Sequence, residues 1–246
     1  MKIFAVNASP TMTRGTTHTL LELFLGGARE AGAEVESVLL QKQKIGYCVG
    51  CLNCWIKTPG QCVQDDDMTV LREKLSKSDF FVLATPVYVD GMTAQAKTFV
   101  DRLIPLTDPH FEIVDDHCRH VKRLSSLPEV VLLSVCGFCE LDNFDGLVDH
   151  VSRICKNMQT RFVGSVLRPA SHVLTMDEIL PEQVGRIKAA AVQAGRELVE
   201  NGHFSQDTLA AVAADCMPRE IFVDGANLYW DRCLETGKKP APPGSK

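Results

Sequence analysis

The chain has 246 residues, 45% of them hydrophobic, with a formal net charge of −5 and a pI of about 5.8. That is enough apolar material for one large domain or a domain with an appendage, and the lack of a basic stripe argues against a nucleic-acid partner, whose affinity rests on clustered Lys and Arg. No apolar run approaches the ~20 residues of a membrane span, Met1–Ser9 carries no signal-peptide pattern, and ten cysteines in a chain expected in the reducing cytoplasm point to metal or redox work before disulfides.

Lys2–Ala8 is short, apolar and bounded by Ser-Pro, which predicts a first strand. Thr16–Ala31 carries Leu20, Leu23 and Phe24 at helical spacing and stops at Gly32. Glu34–Leu40 predicts a second strand, and Gln41–Asp65 a long loop. Asp65, Asp66 and Asp67 then cap a helix over Met68–Lys77, since acids favour a helix N-terminus. Asp79–Pro86 is a near-continuous apolar run of the kind found in buried parallel strands. Met92–Leu103 is helical, and Ile104–Pro128 is a long connection of the kind an insertion makes. Glu129–Cys136 is a fourth strand, Phe144–Met158 a helix, Phe162–Leu167 a fifth strand and Pro181–Asn201 a long amphipathic helix. Alternating strands and helices predict an α/β fold, a doubly wound five-stranded parallel sheet covered on both faces. Five strands favour the flavodoxin-like order 2-1-3-4-5. Residues 1–202 would form this domain with the loop at 41–65, residues 203–236 a helical C-terminal extension, and residues 237–246 a disordered tail.

The loop at 41–65 holds Cys48, Cys51, Cys54 and Cys62, spaced C-x2-C-x2-C-x7-C. A [4Fe–4S] cubane takes four thiolates, and ferredoxin-type runs open with the same double C-x2-C. Structural zinc prefers two knuckles separated by a longer loop. Cluster, zinc and plain thiols all stay open at this point, with the even spacing of the first three favouring the cluster.

Right-handed crossovers put every strand-to-helix loop on one rim, and in this strand order the ligand crevice lies between the first and third strands. After the first strand come Ser9, Thr11, Arg14, Gly15, Thr16 and Thr17. Hydroxyls, backbone N–H groups and one cation there converge at a helix N-terminus, which suits a phosphate dianion. A Ser/Thr-rich helix cap would look the same. Thr85, Pro86, Val87 and Tyr88 follow the third strand, where they could border a flat ring. Cys136 and Gly137 follow the fourth. Three such loops together predict a bound mononucleotide. No G-x-G-x-x-G follows a strand, so a tightly held dinucleotide is not expected, although NAD(P)H could dock transiently.

These segments carry a resemblance. Ser9-Pro10 with Gly15-Thr16-Thr17 resembles the phosphate loop of the NADPH-dependent FMN reductase group. Thr85-Pro86-Val87-Tyr88, with Lys97 and Asp101-Arg102 downstream, is similar to that group's second flavin segment. The cysteine run leading into Asp66-Asp67-Met68 is similar to the iron–sulfur flavoprotein branch. Thr11 and Thr16 replace the usual Arg and Asn, which shifts the loop's work toward hydroxyls and Arg14. The resemblance covers roughly residues 1–168. It implies FMN, a [4Fe–4S] cluster on Cys48, Cys51, Cys54 and Cys62, an oxidoreductase passing electrons between a small-molecule or protein donor and acceptor, and a homo-oligomer, dimer or tetramer. A flavin-only NAD(P)H-dependent FMN or quinone reductase is the second reading. A zinc-stapled or cofactor-free interaction module is the third, since fold alone does not imply function.

Other residues invite plainer readings. Cys136 and Cys139 form a C-x2-C, but small residues near a ring explain them better than a redox pair. His117, Cys118 and His120 with Asp115 and Asp116 match no metal spacing and predict a solvated loop. Cys155, Cys216 and Cys233 are expected to pack. Phe222, Tyr229 and Trp230 mark either a subunit contact or a helix folded back on its own chain.

Overall fold

The structure is a computed structural model and describes residues 1–239; the tail expected over 237–246 lies mostly outside the described residues. Five parallel strands make the central sheet: β1 (Lys2–Asn7), β2 (Glu34–Leu39), β3 (Phe80–Pro86), β6 (Glu129–Val135) and β7 (Phe162–Arg168), in the order β2-β1-β3-β6-β7. Counted along the sheet alone this is the flavodoxin-like 2-1-3-4-5 order. The strands pack both faces because their side chains alternate. Ile3, Ala5, Phe80, Val82, Val131 and Leu133 enter one core; it is closed by α1 (Thr16–Glu30) and α6 (Pro181–Asn201). Phe4, Val6, Phe81, Leu83 and Leu132 enter the other, under α3 (Met68–Ser76), α4 (Ala94–Asp101) and α5 (Asp145–Asn157). In the second core Phe81 stacks against Phe4 and Phe99, with centroids 6.2 and 5.7 Å away. Cys155 is buried there, and burial pushes its thiol up to about 12.

The connection at 104–128 is not irregular. It forms an antiparallel hairpin, β4 (Thr107–Val114) and β5 (His117–Lys122), in a sheet of its own. Its turn is Asp115-Asp116, both at positive φ (50° and 59°). Short acidic side chains tolerate that conformation, as the usual Asn-Gly of such turns does. The solvated loop read around His117 and His120 is thus a strand, with Val114 paired to His117 and Phe111 to His120.

A short helix α2 (Asn53–Ile56) sits inside the cysteine loop, and α7 (Gln206–Ala213) and α8 (Arg219–Thr236) follow α6. Only the start of α8 is held. Phe222 is buried against His172 and Arg219 pairs with Glu140 at 3.0 Å, whereas Leu228, Trp230 and Leu234 are exposed. No helix among the described residues is long and apolar enough to cross a membrane.

Helices α1 and α6 approach so closely that neither tolerates a side chain at the crossing. A Cβ on Gly27 would lie 1.8 Å from the Val192 carbonyl oxygen, and one on Gly195 would lie 1.8 Å from that of Phe24. Backbone cannot step aside as a flexible side chain can. Gly195→Ala should therefore lower stability by about 2 kcal/mol through overpacking. Gly26→Ala, with open space around it, should be neutral or raise stability by up to about 1 kcal/mol through helix propensity. Denaturant unfolding of the two variants checks the contrast.

Candidate functional site

Three loops meet at the C-terminal edge of the sheet. In the first, the Asn7 side chain at the end of β1 is buried and its Oδ1 accepts from the Ser9 backbone N–H at 2.9 Å. The Nδ2 of the same residue is buried without a partner. Ser9 and Thr11 share a hydroxyl contact of 2.9 Å, and Thr16 Oγ1 donates to Ser171 Oγ at 3.0 Å. Gly15 caps α1 in an extended conformation and has no side chain to offer the helix's free N–H groups; no acid sits in the first turn. That end of α1 therefore keeps its full preference for an anion. Arg14 and Thr11 are exposed, Gly15 and Thr16 half-buried, and Thr17 is turned inward at 2% exposure.

The second and third loops are knitted by buried hydroxyls. Thr85 Oγ1 donates to the Pro86 carbonyl and accepts from the Thr93 N–H. Thr93 Oγ1 donates to the Ala8 carbonyl at 2.9 Å, and Ser134 Oγ to the Thr85 carbonyl at 2.6 Å. Thr85 thus has its hydroxyl occupied inside the rim, and what it presents is backbone. Beyond Pro86 and Val87, the chain turns sharply: Tyr88 and Gly91 exchange backbone hydrogen bonds across Val89 and Asp90, both at positive φ. A β-branched residue in that region is strained, and Val89 is fully exposed. In the third loop Cys136 is buried and its Sγ donates to the Phe138 carbonyl, with Gly137 exposed beside it. Burial raises the Cys136 thiol above its ordinary value despite the neighbouring Arg168, which makes it a poor thiolate.

The cysteine loop leaves the same edge after β2. Cys48, Cys51, Cys54 and Cys62 line one hollow together with Gln64, Arg102 and Ile104. Cys54 is buried; Cys48 and Cys51 are on the exposed side. Burial raises the Cys54 thiol, and the facing sulfurs of Cys62, Cys51 and Cys48 push it the same way. Free space in the hollow is about 20 Å³, room for one water, so anything larger displaces the exposed lip. Among the described residues no three His, Cys, Asp or Glu side chains close on one point as the ligands of a single ion would.

Arg102, at the end of α4, organises this loop. It is 1% exposed. Its Nη1 and Nη2 donate to the two carboxylate oxygens of Asp66 at 2.7 and 2.9 Å, and Nη1 also donates to the Gly46 carbonyl at 2.6 Å. Asp66 in turn accepts from the Gly46 and Met68 N–H groups. The predicted aspartate cap is therefore borne by Asp66, and Asp67 turns back to accept from the Lys44 N–H at 2.7 Å. The hairpin supports the far side: Trp55 of α2 packs on His120, which packs on Phe111, at 4.8 Å each. Sequence reasoning named Arg102 only as part of a flavin segment and missed Arg72, Asn7 and Thr93. Arg72 had a readable signal, a cation on the Met68-Leu71-Leu75 stripe of α3. Lys97 and Asp101 pair at 2.6 Å on the exposed face, as their spacing suggests.

Comparison with known proteins fits this architecture. The profile of the NADPH-dependent FMN reductase family matches residues 1–113. An iron–sulfur flavoprotein of Archaeoglobus fulgidus is 42% identical over 105 residues, 43% of this chain and 46% of that one. One from Clostridioides difficile is 30% identical over 178 residues, 66% of this chain and 78% of that protein. The chain belongs to the iron–sulfur flavoprotein family. It spans about half the length of the archaeal members it matches, 46% for the Archaeoglobus protein and 50% for one from Methanocaldococcus jannaschii. Among solved structures, an NAD(P)H:quinone oxidoreductase from Methanothermobacter marburgensis superposes with a TM-score of 0.62 at 16% identity, over 84% of this chain and 99% of that one. An FMN-dependent NADH-azoreductase from Bacillus anthracis gives 0.55 at 14%, over 87% and 99%. At those identities the likeness is one of fold, the flavodoxin-like sheet.

In this family member the Asp66–Arg102 pair has a measurable consequence. Burial alone would raise the Asp66 carboxyl, but the Arg102 guanidinium and the two N–H groups outweigh it and hold the carboxyl below its usual range. A depressed carboxylate contributes stability above its unfolded-state pKa and loses it as pH falls through the folded value. Asp66→Asn should cost about 3 kcal/mol at neutral pH by stranding a buried guanidinium and should flatten the acid limb of the stability profile. Asp101→Asn, which breaks only an exposed pair, should cost about 0.3 kcal/mol. Urea titrations from pH 3 to 8 check both.

Proposed function

We propose that the chain is an FMN-dependent oxidoreductase that passes electrons between a reduced donor and an acceptor through FMN and a [4Fe–4S] cluster. The observation that carries this is the placing, on one edge of one sheet, of an uncapped helix N-terminus ringed by hydroxyls and a four-thiol hollow backed by buried arginines. In this reading Ser9, Thr11, Gly15, Thr16, Thr17 and Arg14 hold the FMN phosphate through hydroxyls, N–H groups and one cation. Thr85, Pro86, Val87, Tyr88, Cys136 and Gly137 border the ring, and the buried hydroxyls of Thr85, Thr93 and Ser134 keep their backbones in register. Cys48, Cys51, Cys54 and Cys62 hold the cluster as thiolates. FMN supplies chemistry for a hydride or an electron pair, and a cluster carries one electron at a time. The exposed Tyr88–Gly91 turn and the exposed cysteine lip leave both groups open to a small donor such as NAD(P)H or to a partner protein.

The test is anaerobic purification of the full chain with assays of flavin, iron and sulfide, and a visible spectrum before and after dithionite. One flavin and about four irons per chain are expected. Flavin without iron would move the chain to the flavin-only NAD(P)H-dependent FMN or quinone reductase. Neither would leave an interaction module. The phosphate loop has its own test. A Cβ on Gly15 would lie 2.1 Å from Thr11 Oγ1 and 3.3 Å from Ser9 Oγ, so Gly15→Val should push both hydroxyls aside. FMN affinity, followed by quenching of flavin fluorescence, should drop about tenfold, worth ~1.4 kcal/mol, with the circular dichroism unchanged.

A further inference from the structure

Three arginines are buried among the described residues, Arg72, Arg102 and Arg168, at 6%, 1% and 1% exposure. Each guanidinium has to find acceptors or a counter-charge inside the protein, because an unpaired buried cation is costly. Arg168 donates from Nε to the Pro169 carbonyl and from Nη1 to the Val212 and Ala214 carbonyls. Arg102 has the Asp66 carboxylate. Arg72 has no carboxylate partner, and its Nη1 is buried with no acceptor. The Nε of Arg102 is orphaned in the same way. Arg72 faces the thiols of Cys62 and Cys54 and, beside them, Arg102; Arg102 faces Cys62 as well. Arg102 lines the hollow with Cys62, and Arg72 lies near enough to feel the same sulfur, so two like-charged side chains, each with a free buried donor, stand beside one thiol of the hollow. Neutral thiols give that arrangement nothing to balance the charge of Arg72.

We propose that Arg72, assisted by Arg102, is the cationic floor of the cysteine hollow: their orphaned N–H groups donate to the Cys62 sulfur when it ligates a cluster, and Arg72 raises the reduction potential of that cluster. The inference rests on the cluster reading above. Arg102 is neutralised by Asp66, so the net charge near the sulfurs is that of Arg72. A hydrogen bond to a ligating sulfur and a nearby cation in a low-dielectric setting both favour the reduced, more negative cluster. Both are positioning and tuning roles, since the thiolates alone bond to iron.

The experiment compares the full chain with Arg72→Gln and Arg72→Lys after anaerobic reconstitution with iron and sulfide. Readouts are iron and sulfide per chain, the midpoint potential from an EPR-monitored redox titration, and the melting temperature of the metal-free chain. Arg72→Gln should make cluster reduction about tenfold less favourable, a midpoint about 59 mV more negative, or lose the cluster outright. Its metal-free form should melt no lower than the parent, because an unbalanced buried charge has been removed. Arg72→Lys, which keeps the charge, should recover at least half of the shift. A parent that binds no iron overturns the cluster reading and this inference with it. A parent with a full cluster whose potential and iron content are unchanged in Arg72→Gln overturns the inference alone, as do equal shifts in the two variants. Metal-free Arg72→Gln melting well below the parent would make Arg72 a packing residue and overturn it too.

Discussion

The Arg102–Asp66 pair is the constraint on which the cysteine loop depends. A loop of some twenty-five residues has no regular ladder to satisfy its backbone, and here one buried guanidinium supplies much of what is missing. It takes the Gly46 carbonyl at the loop's entry, the Asp66 carboxylate at its exit and Gln64 beside it. Entry and exit are thereby clamped to the end of α4, a helix fixed by Phe99 in the core. The clamp is bidentate, which fixes direction as well as distance. A lysine at the same place would carry the charge without the fork.

The same logic recurs with neutral groups at the rim loops after β1, β3 and β6. Thr85, Thr93 and Ser134 are almost wholly buried, and each hydroxyl bridges between strands or loops that approach the sheet edge. Buried polar groups are tolerable only when fully paired, and full pairing allows one arrangement of the three rim loops. Rigidity at that level lets the next turn, Tyr88–Gly91, hold Val89 in a conformation that a β-branched residue avoids. Strain of this kind persists only where the surrounding structure over-determines it.

Much of this was legible before any coordinates. The runs of β1, β3 and β6 stand out because central parallel strands are buried on both faces; the edge strand β2 is half exposed and shows only as an alternation, and the count of five strands favours the order. Cys48, Cys51, Cys54 and Cys62 announced the hollow by spacing. The hairpin was hidden because its signal is split: Phe111 and Ile113 alternate, but the turn is Asp-Asp, and the facing strand His117–Lys122 is polar and short of β-branched residues. Thr85 read as a ligand because its position on the rim is visible in sequence, whereas the direction of its hydroxyl is set by Thr93, eight residues on. Arg102 read as a flavin-segment residue because its partners, Gly46 and Asp66, lie on the far side of a loop whose path no local pattern predicts.

Of the three buried arginines, Arg72 is the one that leaves a positive charge unmet inside a chain of net charge −5. Surface charge is screened within about 10 Å in ordinary salt, so the overall acidity says little about a hollow walled by protein. What counts there is the local sum. Around Arg168 it is met by carbonyl dipoles, around Arg102 by a carboxylate, and around Arg72 by nothing but sulfur. Folding alone would favour replacing such an unmet cation with an apolar residue of similar volume. A charge kept at that place, facing thiols able to lose their protons to a metal, makes most sense when the charge opposite it arrives with the ligand.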